Sequence, residues 1–512
     1  MIPTLEPTPL VTDGTDPLAQ LQSRDAAIAP DLIEAFVATG ETAERNLERL
    51  ANGALCVTTG QQPGLFTGPL LTVYKALSAV ALAEQCSQLL GQPVVPVFWV
   101  AGDDHDFAEV NHTHLLDTDN EVQRVTLRTR EPDAPALSMF RETLGPDVDA
   151  AIDAVTALTP DTEFKSHELE WLRRHYRADH DVAGAFADAL ADRLGRLGLV
   201  VFRPTHPRAK AAAAPFIVRA LQHAAAIDRD VRAHVTELAR AGHSVPVDVA
   251  EGNTMVMVEG ATGRDRLVID GDRFVSRRAS EAWTLDELRG VAEQHPERLS
   301  ANVLLRPVVE AAILPTIAYV AGPAERAYIR QSEPIYRLLD VDRQSIAVRW
   351  SGRVMEKRVT KVLEKYGIDA EELLAPEGQL EGRLAGRGMP AEAEEALRGL
   401  RDAVQTHYPT LVNAAVSVDP TLKKPVQSHR GAALAALADV EKRIVSHLKK
   451  NDEILMRQIA TARNALFPLR KPQERVFNLL QYTVRYGDAF LDEVRDACRT
   501  WAQASAVGAR QS

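Results

Sequence analysis

Short apolar, β-branched runs alternate along this chain with glycine-punctuated loops and helical patterns. Residues 54–59 (ALCVTT) predict a buried strand that ends in a glycine-rich loop. A strong helical pattern begins near Pro69, where proline at a first helical position is favourable. A second strand is predicted over 94–100, ending at Gly102. Strand, helix, strand in so short a span is the signature of a parallel βαβ unit. Residues 121–129 alternate like an edge strand, 130–195 read as a mostly helical insertion, and 199–202 as another buried strand. An alanine-rich helix is predicted over 208–241. Gly-Asn, Thr-Gly and Asp-Gly-Asp turn signals divide 245–278 into a small hairpin insertion. The α/β pattern returns with a strand over 316–320, Gly322, a helix through Leu339 and a last strand over 345–350.

Beyond residue 389 the period changes. Leu437, Leu448 and Ile459 line up at eleven-residue steps, as do Ile444, Leu455 and Leu466, with Val440, Asn451 and Ala462 as a third row. Such a repeat gives about 3.67 residues per turn, a nearly straight or slightly right-handed rod. Asp419-Pro420 predicts an N-cap and first helical residue. A helix from there to Phe467 runs to about 70 Å and needs a partner, for which 391–418 supplies an antiparallel arm. Pro409 and Pro425 are expected to kink or interrupt these helices. Four regions result: an N-terminal arm with helices (1–52), a parallel-sheet core with insertions (53–388), a helical coiled-coil element that dimerises (389–467), and a helical segment returning to the core (468–512). A lone helix with three apolar rows exposes too much hydrophobic surface, so a homodimer through 391–467 is expected.

Composition changes this picture only by exclusion. With 45% hydrophobic and 25% charged residues, the chain has the make-up of a soluble globular protein. Its net charge of −12 argues against a nucleic-acid or anionic-membrane binder while leaving room for a local basic pocket. Cys56, Cys86 and Cys498 are widely spaced without a CxxC, which suits a reducing cytosol. The N-terminal stretch lacks the basic and apolar regions of a secretory signal, and 303–322 carries Arg306, Glu310 and two prolines, a poor membrane span. A cytoplasmic location is expected.

Three constellations carry candidate chemistry. In the loop after the first strand, Thr59, Gly60, Gly64, Thr67 and Gly68 offer backbone N–H groups and close approach to an anion ahead of a helix N-terminus. Lys75 follows in that helix. The spacing is neither G-x-G-x-x-G nor a Walker A motif. Gln61 and Gln62, adjacent glutamines with no structural need, are candidate catalytic donors; the competing reading is a tight turn with ordinary glycines. After the second strand, Asp103, Asp104, His105 and Asp106, then Asn111 and His112, stand where open parallel sheets bind ligands. Asp104, His105 and Asp106 are candidates for orienting an amine and moving protons, with Asp103, Asn111 and His112 binding substrate. If this segment is helical, His105, Glu109 and His112 share one face and the alternative is a metal-dependent hydrolase or deacetylase of a sugar amide; an acidic helix N-terminus would explain the carboxylates alone. No metal site is assigned. A weaker set joins Asn302, Arg306, Gly322 and Arg330, with an Arg306–Glu310 surface salt bridge as the plain reading. Cys56, inside a strand, reads as a small buried hydrophobe. HExxH, GxSxG and CxxC are absent.

The segments TGQQPGLFTGPLLTVYKAL, PVFWVAGDDHDFAEVNH, NVLLRPVVEAAILPTIAYVAGP and QERVFNLLQYTVRYGD together resemble the bacillithiol-synthesis cysteine-adding enzyme family (BshC), in order and over essentially the whole chain from about residue 50. The resemblance implies a Rossmann-like core similar to class I aminoacyl-tRNA synthetase catalytic domains, plus a dimerising coiled coil. It implies a ligase that joins cysteine through an amide to the glucosamine amine of glucosaminyl-malate, the last step of bacillithiol assembly. Activating a free carboxylate calls for ATP or another nucleotide as adenylate or acyl phosphate donor. Neither HIGH nor KMSKS stands in this sequence. Residues 59–62 are the candidate for the first role, and Met355-Glu-Lys357 does not fill the second.

Overall fold

The structure is a computed structural model that describes residues 2–10, 27–376 and 378–509. Two compact units emerge, one made of residues up to Val354 together with those from Pro472 onward, the other of Met355–Lys471. Part of the expected N-terminal arm, residues 11–26, lies outside the described residues; ahead of it, Thr4–Pro7 is a short strand.

The first unit is built on a six-stranded sheet. Its strands are β1 (Phe36–Val37), β2 (Leu55–Gln61), β3 (Val94–Val100), β4 (Val200–Phe202), β5 (Thr316–Ala321) and β6 (Ser345–Val348), in the order β6-β5-β2-β3-β4-β1. All neighbours are parallel except β1, which lies antiparallel on β4. This is the Rossmann-like α/β core. Both faces are covered, which is why its strands read as continuous apolar runs. Leu55 and Val57 pack with Ala79 and Leu82 of the crossover helix Leu71–Leu90 on one face, while Cys56, Val95, Val97 and Trp99 pack with Leu32 and Leu50 on the other. From β2 the chain proceeds outward through β3 and β4, then returns to β2's other side as β5. The strand order therefore reverses between β2 and β5, the position where open α/β sheets form a crevice at the strands' carboxyl ends.

Several expectations need correction. The alanine-rich helix is two, Pro207–Gln222 and Ala224–Arg240, divided at His223. The small hairpin is a five-stranded antiparallel sheet, in the order Ala282–Trp283, Arg273–Ser276, Gly263–Asp270, Asn253–Gly260 and Leu299–Ala301. Its last strand comes from beyond a helix, so no local turn signal announces it. Val122–Thr126 pairs with His112–Leu116 as a separate two-stranded ribbon.

The second unit begins at Met355, well before 389. Helices Lys357–Tyr366 and Gln379–Gly386 belong to it, because they cover the apolar side of helix Glu453–Leu466. Ala391–Val418 and Lys423–Asn451 form its antiparallel pair, joined through the Asp419 cap and tied by an Arg401–Glu441 ion pair at 2.7 Å. Pro409 does not interrupt its helix, and Pro425 stands in a first turn, where its missing N–H costs nothing. The rod instead breaks at Asp452, whose side chain accepts the Leu455 N–H and caps a new helix. Leu455, Ile459, Ala462 and Leu466 are buried within this unit, whereas Val440 is 47% exposed. No helix among the described residues is long and apolar enough to cross a membrane.

Candidate active site

A cavity of about 860 Å³ opens in the first unit at the carboxyl ends of β2, β3 and β5, with the antiparallel sheet as its opposite wall. Of the sequence-predicted residues it brings together Gly60, Gln61, Gln62, Lys75, Asp103, Asp104, His105, Asn302, Arg306 and Gly322. Thr59, Gly64, Thr67, Gly68, Asp106, Asn111, His112 and Arg330 do not line it.

The residues left outside have local work. The Thr59 hydroxyl donates to the Val320 carbonyl at 2.8 Å and holds β2 to β5. The Thr67 N–H donates to the buried Tyr176 hydroxyl at 2.7 Å, and the Gly64 and Gly68 N–H groups donate to the Gln62 and Leu65 carbonyls. Gly68 stands at φ +72°, and a Cβ on Gly64 would lie 2.8 Å from the Gly68 Cα, so these glycines serve a tight turn. Asn478 closes that turn by donating to the Phe66 and Gly68 carbonyls, both at 2.9 Å. With those three amides engaged inside the protein, they are not offered to a phosphate. Asp106 caps the helix Phe107–Val110, Asn111 donates to the Arg128 carbonyl, and Arg330 lies beside His243. That helix spans four residues and His112 already begins a strand, so His105, Glu109 and His112 do not share a helical face. Among the described residues, no group of three or more His, Cys, Asp and Glu side chains is placed to hold a metal ion.

Where the two strand-end loops meet, Gln62 Nε2 donates to Asp104 Oδ2 at 2.5 Å and to Glu109 Oε2 at 2.8 Å. Burial pushes the Asp104 carboxyl up, but the Gln62 amide, the Arg264 charge and the His105 and Asp106 N–H groups outweigh it and hold it below the usual carboxylate range. His105 is held below its ordinary value by burial first and by Arg264 second, against the pull of Asp104. Arg264 Nη1 approaches His105 Nδ1 at 3.4 Å, while its Nε and Nη2 donate to Ser300 Oγ and the Ala301 carbonyl at 3.0 and 2.8 Å. The site therefore pairs an ionised carboxylate with a neutral imidazole.

The reversal between β2 and β5 is filled by buried charge. Lys75, 1% exposed, donates to the Gly60 carbonyl, to Gln61 Oε1 at 3.2 Å and to Glu325 Oε2 at 2.7 Å. Burial lowers the Lys75 ammonium against the support of Glu325. Burial likewise raises Glu325, but Lys75 and the Gly322 N–H more than offset it, and Glu325 sits low. Arg306 pairs with the fully buried Glu310 at 2.7 Å and donates to the Tyr319 hydroxyl, which donates to Glu325. The expected surface salt bridge is thus a buried one.

A family model described as the bacillithiol biosynthesis BshC N-terminal Rossmann-like domain matches residues 23–350, and one for the BshC C-terminal coiled-coil domain matches 353–504. The chain belongs to the BshC family. Three relatives, each named "Putative cysteine ligase BshC", illustrate the match. That of Koribacter versatilis is 31% identical over 93% of this chain and 87% of its own length. That of Symbiobacterium thermophilum is 32% identical over 85% and 80%, and that of Salinibacter ruber 31% over 89% and 82%. A solved structure titled a putative arginyl-tRNA synthetase from Campylobacter jejuni aligns over 91% of this chain and 98% of its own at 10% identity, with a TM-score of 0.23, too low to bear on the argument.

In this BshC chain, sequence reasoning overlooked Lys210, which donates to Asp103 and to the Leu299 carbonyl, and Arg264, Arg266, Arg277 and Arg278. The one available signal was Gly263-Arg-Asp-Arg266 inside a strand, whose period of two puts both arginines on one face.

Proposed function

We propose that this chain is a cysteine ligase that joins the cysteine carboxyl through an amide to the glucosamine amine of glucosaminyl-malate, closing bacillithiol assembly. The charge of the cavity carries the reading: nine Lys and Arg side chains line it against five Asp and Glu, within a chain of net charge −12. The reactants bring carboxylates, and membership of the BshC family supports cysteine as acyl donor. In the reaction a C–N bond forms at the cysteine carboxyl carbon, an activated oxygen leaving group departs, and the amine gives up a proton. His105, neutral near pH 7, takes that proton, and Asp104 orients the amine. A nucleotide, ATP in first place, supplies the leaving group when bound; the exposed Arg266 and Arg277 are side chains fit to meet either its phosphates or a malyl carboxylate. The test is purified protein with cysteine, glucosaminyl-malate and each nucleotide in turn, read by mass. A cysteinyl amide product is expected, and its absence with every nucleotide refutes the reading.

The second unit is proposed as the homodimer contact. Leu400, Leu411 and Val440 are 55%, 53% and 47% exposed. Charge at Ile459, fully buried, would disrupt the unit itself. Leu411→Glu with Val440→Glu is expected to give monomers by light scattering, and an unchanged dimer places the contact elsewhere.

A further inference from the structure

Most charges along the cavity are matched within the protein: Lys75 with Glu325, Lys210 with Asp103, Arg349 with Glu474, and Arg278 with Asp265. Arg266 and Arg277 differ. The Arg277 N–H donates to the Arg266 carbonyl at 3.0 Å, one step beyond the Ser276–Leu267 register pair, so the two arginines are neighbours across adjacent antiparallel strands. Both are exposed and both line the cavity. Among the described residues, neither guanidinium has a carboxylate partner. The nearby Asp265 is committed, accepting from the Arg266 N–H at 2.8 Å and from the Arg278 N–H at 2.5 Å.

Like charges facing across a strand pair destabilise a sheet. The arrangement is relieved when an anion sits between the two groups, and planar guanidinium forks are suited to bind a carboxylate or phosphate bidentately. We infer that Arg266 and Arg277 form an oxyanion-binding subsite on the wall opposite the strand ends, which grips an anionic group of a substrate while the reacting carboxyl lies near Asp104 and His105. The inference rests on the proposed ligase reading for the identity of that group: a malyl carboxylate of glucosaminyl-malate or a phosphate of the nucleotide.

Equilibrium titration separates the sources and does not need turnover. Native protein and the Arg266→Gln, Arg277→Gln double variant are each titrated with glucosaminyl-malate and with ATP. Arg273→Gln, on the same strand pair but away from the cavity, is the control. Both arginines are exposed, so the fold is expected to survive, which circular dichroism and melting temperature verify. Loss of two charge-assisted bidentate contacts is expected to weaken one ligand at least tenfold. A loss confined to glucosaminyl-malate identifies the carboxylate, and a loss confined to ATP identifies the phosphate; either supports the subsite. If both ligands bind the folded double variant within twofold of native, or if Arg273→Gln loses as much, the subsite is wrong. Native protein that binds with this arginine dependence yet makes no cysteinyl product would leave the subsite standing and refute the ligase reading.

Discussion

On the wall formed by β2 and β5, Lys75, Glu325, Arg306 and Glu310 answer one another inside the protein, and Thr58 and Tyr319 take up oxygen atoms left over. On the facing wall, Arg266 and Arg277 stand exposed, side by side and, among the described residues, without a carboxylate partner. Both sets line one cavity, except the wholly buried Glu310, and both carry guanidinium groups. The difference is where the compensating charge comes from. A buried cation must find its anion in the fold, because desolvation is prohibitive otherwise; a solvated one can wait for an anion that arrives with the substrate. Arginine content alone therefore says little about binding, whereas the absence of an internal partner says much.

The largest expected effect is on stability. Glu310→Ala leaves Arg306 buried without its partner and is expected to cost about 3–5 kcal/mol in urea unfolding; a loss below 1 kcal/mol would mean that this wall is not self-neutralised. Next come the groups between the walls. Asp104→Asn and His105→Ala are each expected to lower product formation at least tenfold, about 1.4 kcal/mol of transition-state stabilisation, with the melting curve retained. Because burial and Arg264 hold His105 low, the native rate should stay level from pH 8 down to about 6.5, the ordinary imidazole value, and decline only below it. A rate that halves by pH 6.5 would contradict a depressed His105. Gln62→Ala should have a smaller consequence than loss of a dedicated oxyanion donor, since its amide already serves Asp104 and Glu109. A rate loss of roughly tenfold or less is expected, with the acidic limb, set by His105, left in place. A hundredfold loss at unchanged Asp104 ionisation would assign Gln62 to the transition state. The smallest effect is Arg266→Gln alone on unfolding, expected within about 0.5 kcal/mol of native.

How much of this was legible in the sequence differs between the walls for a physical reason. The strand-end loops announce themselves, because a buried parallel strand must be apolar and its end must turn; Gln61, Gln62, Asp104 and His105 follow at once. The network behind them was half visible: Arg306 and Glu310 sit four apart on one helix, but Lys75 and Glu325 meet only through the β2–β5 reversal. The facing wall was not legible. Arg264, Arg266 and Arg277 reach the cavity because an inserted sheet folds over the strand ends, and strand periodicity fixes a side chain's face without fixing what that face meets. In the second unit, periodicity carried the helices but not their break, since Asp452 caps through a side-chain hydrogen bond that hydrophobic spacing does not encode.

Substrate is expected to sit between a self-neutralised wall and one whose exposed arginines await an anion. Amide hydrogen exchange with and without saturating glucosaminyl-malate and ATP together tests it most directly. Slower exchange is predicted in 99–106 and 263–278, with 62–68 and the second unit unchanged. Protection confined to 62–68 or to 391–466, with 263–278 unaffected, would contradict it.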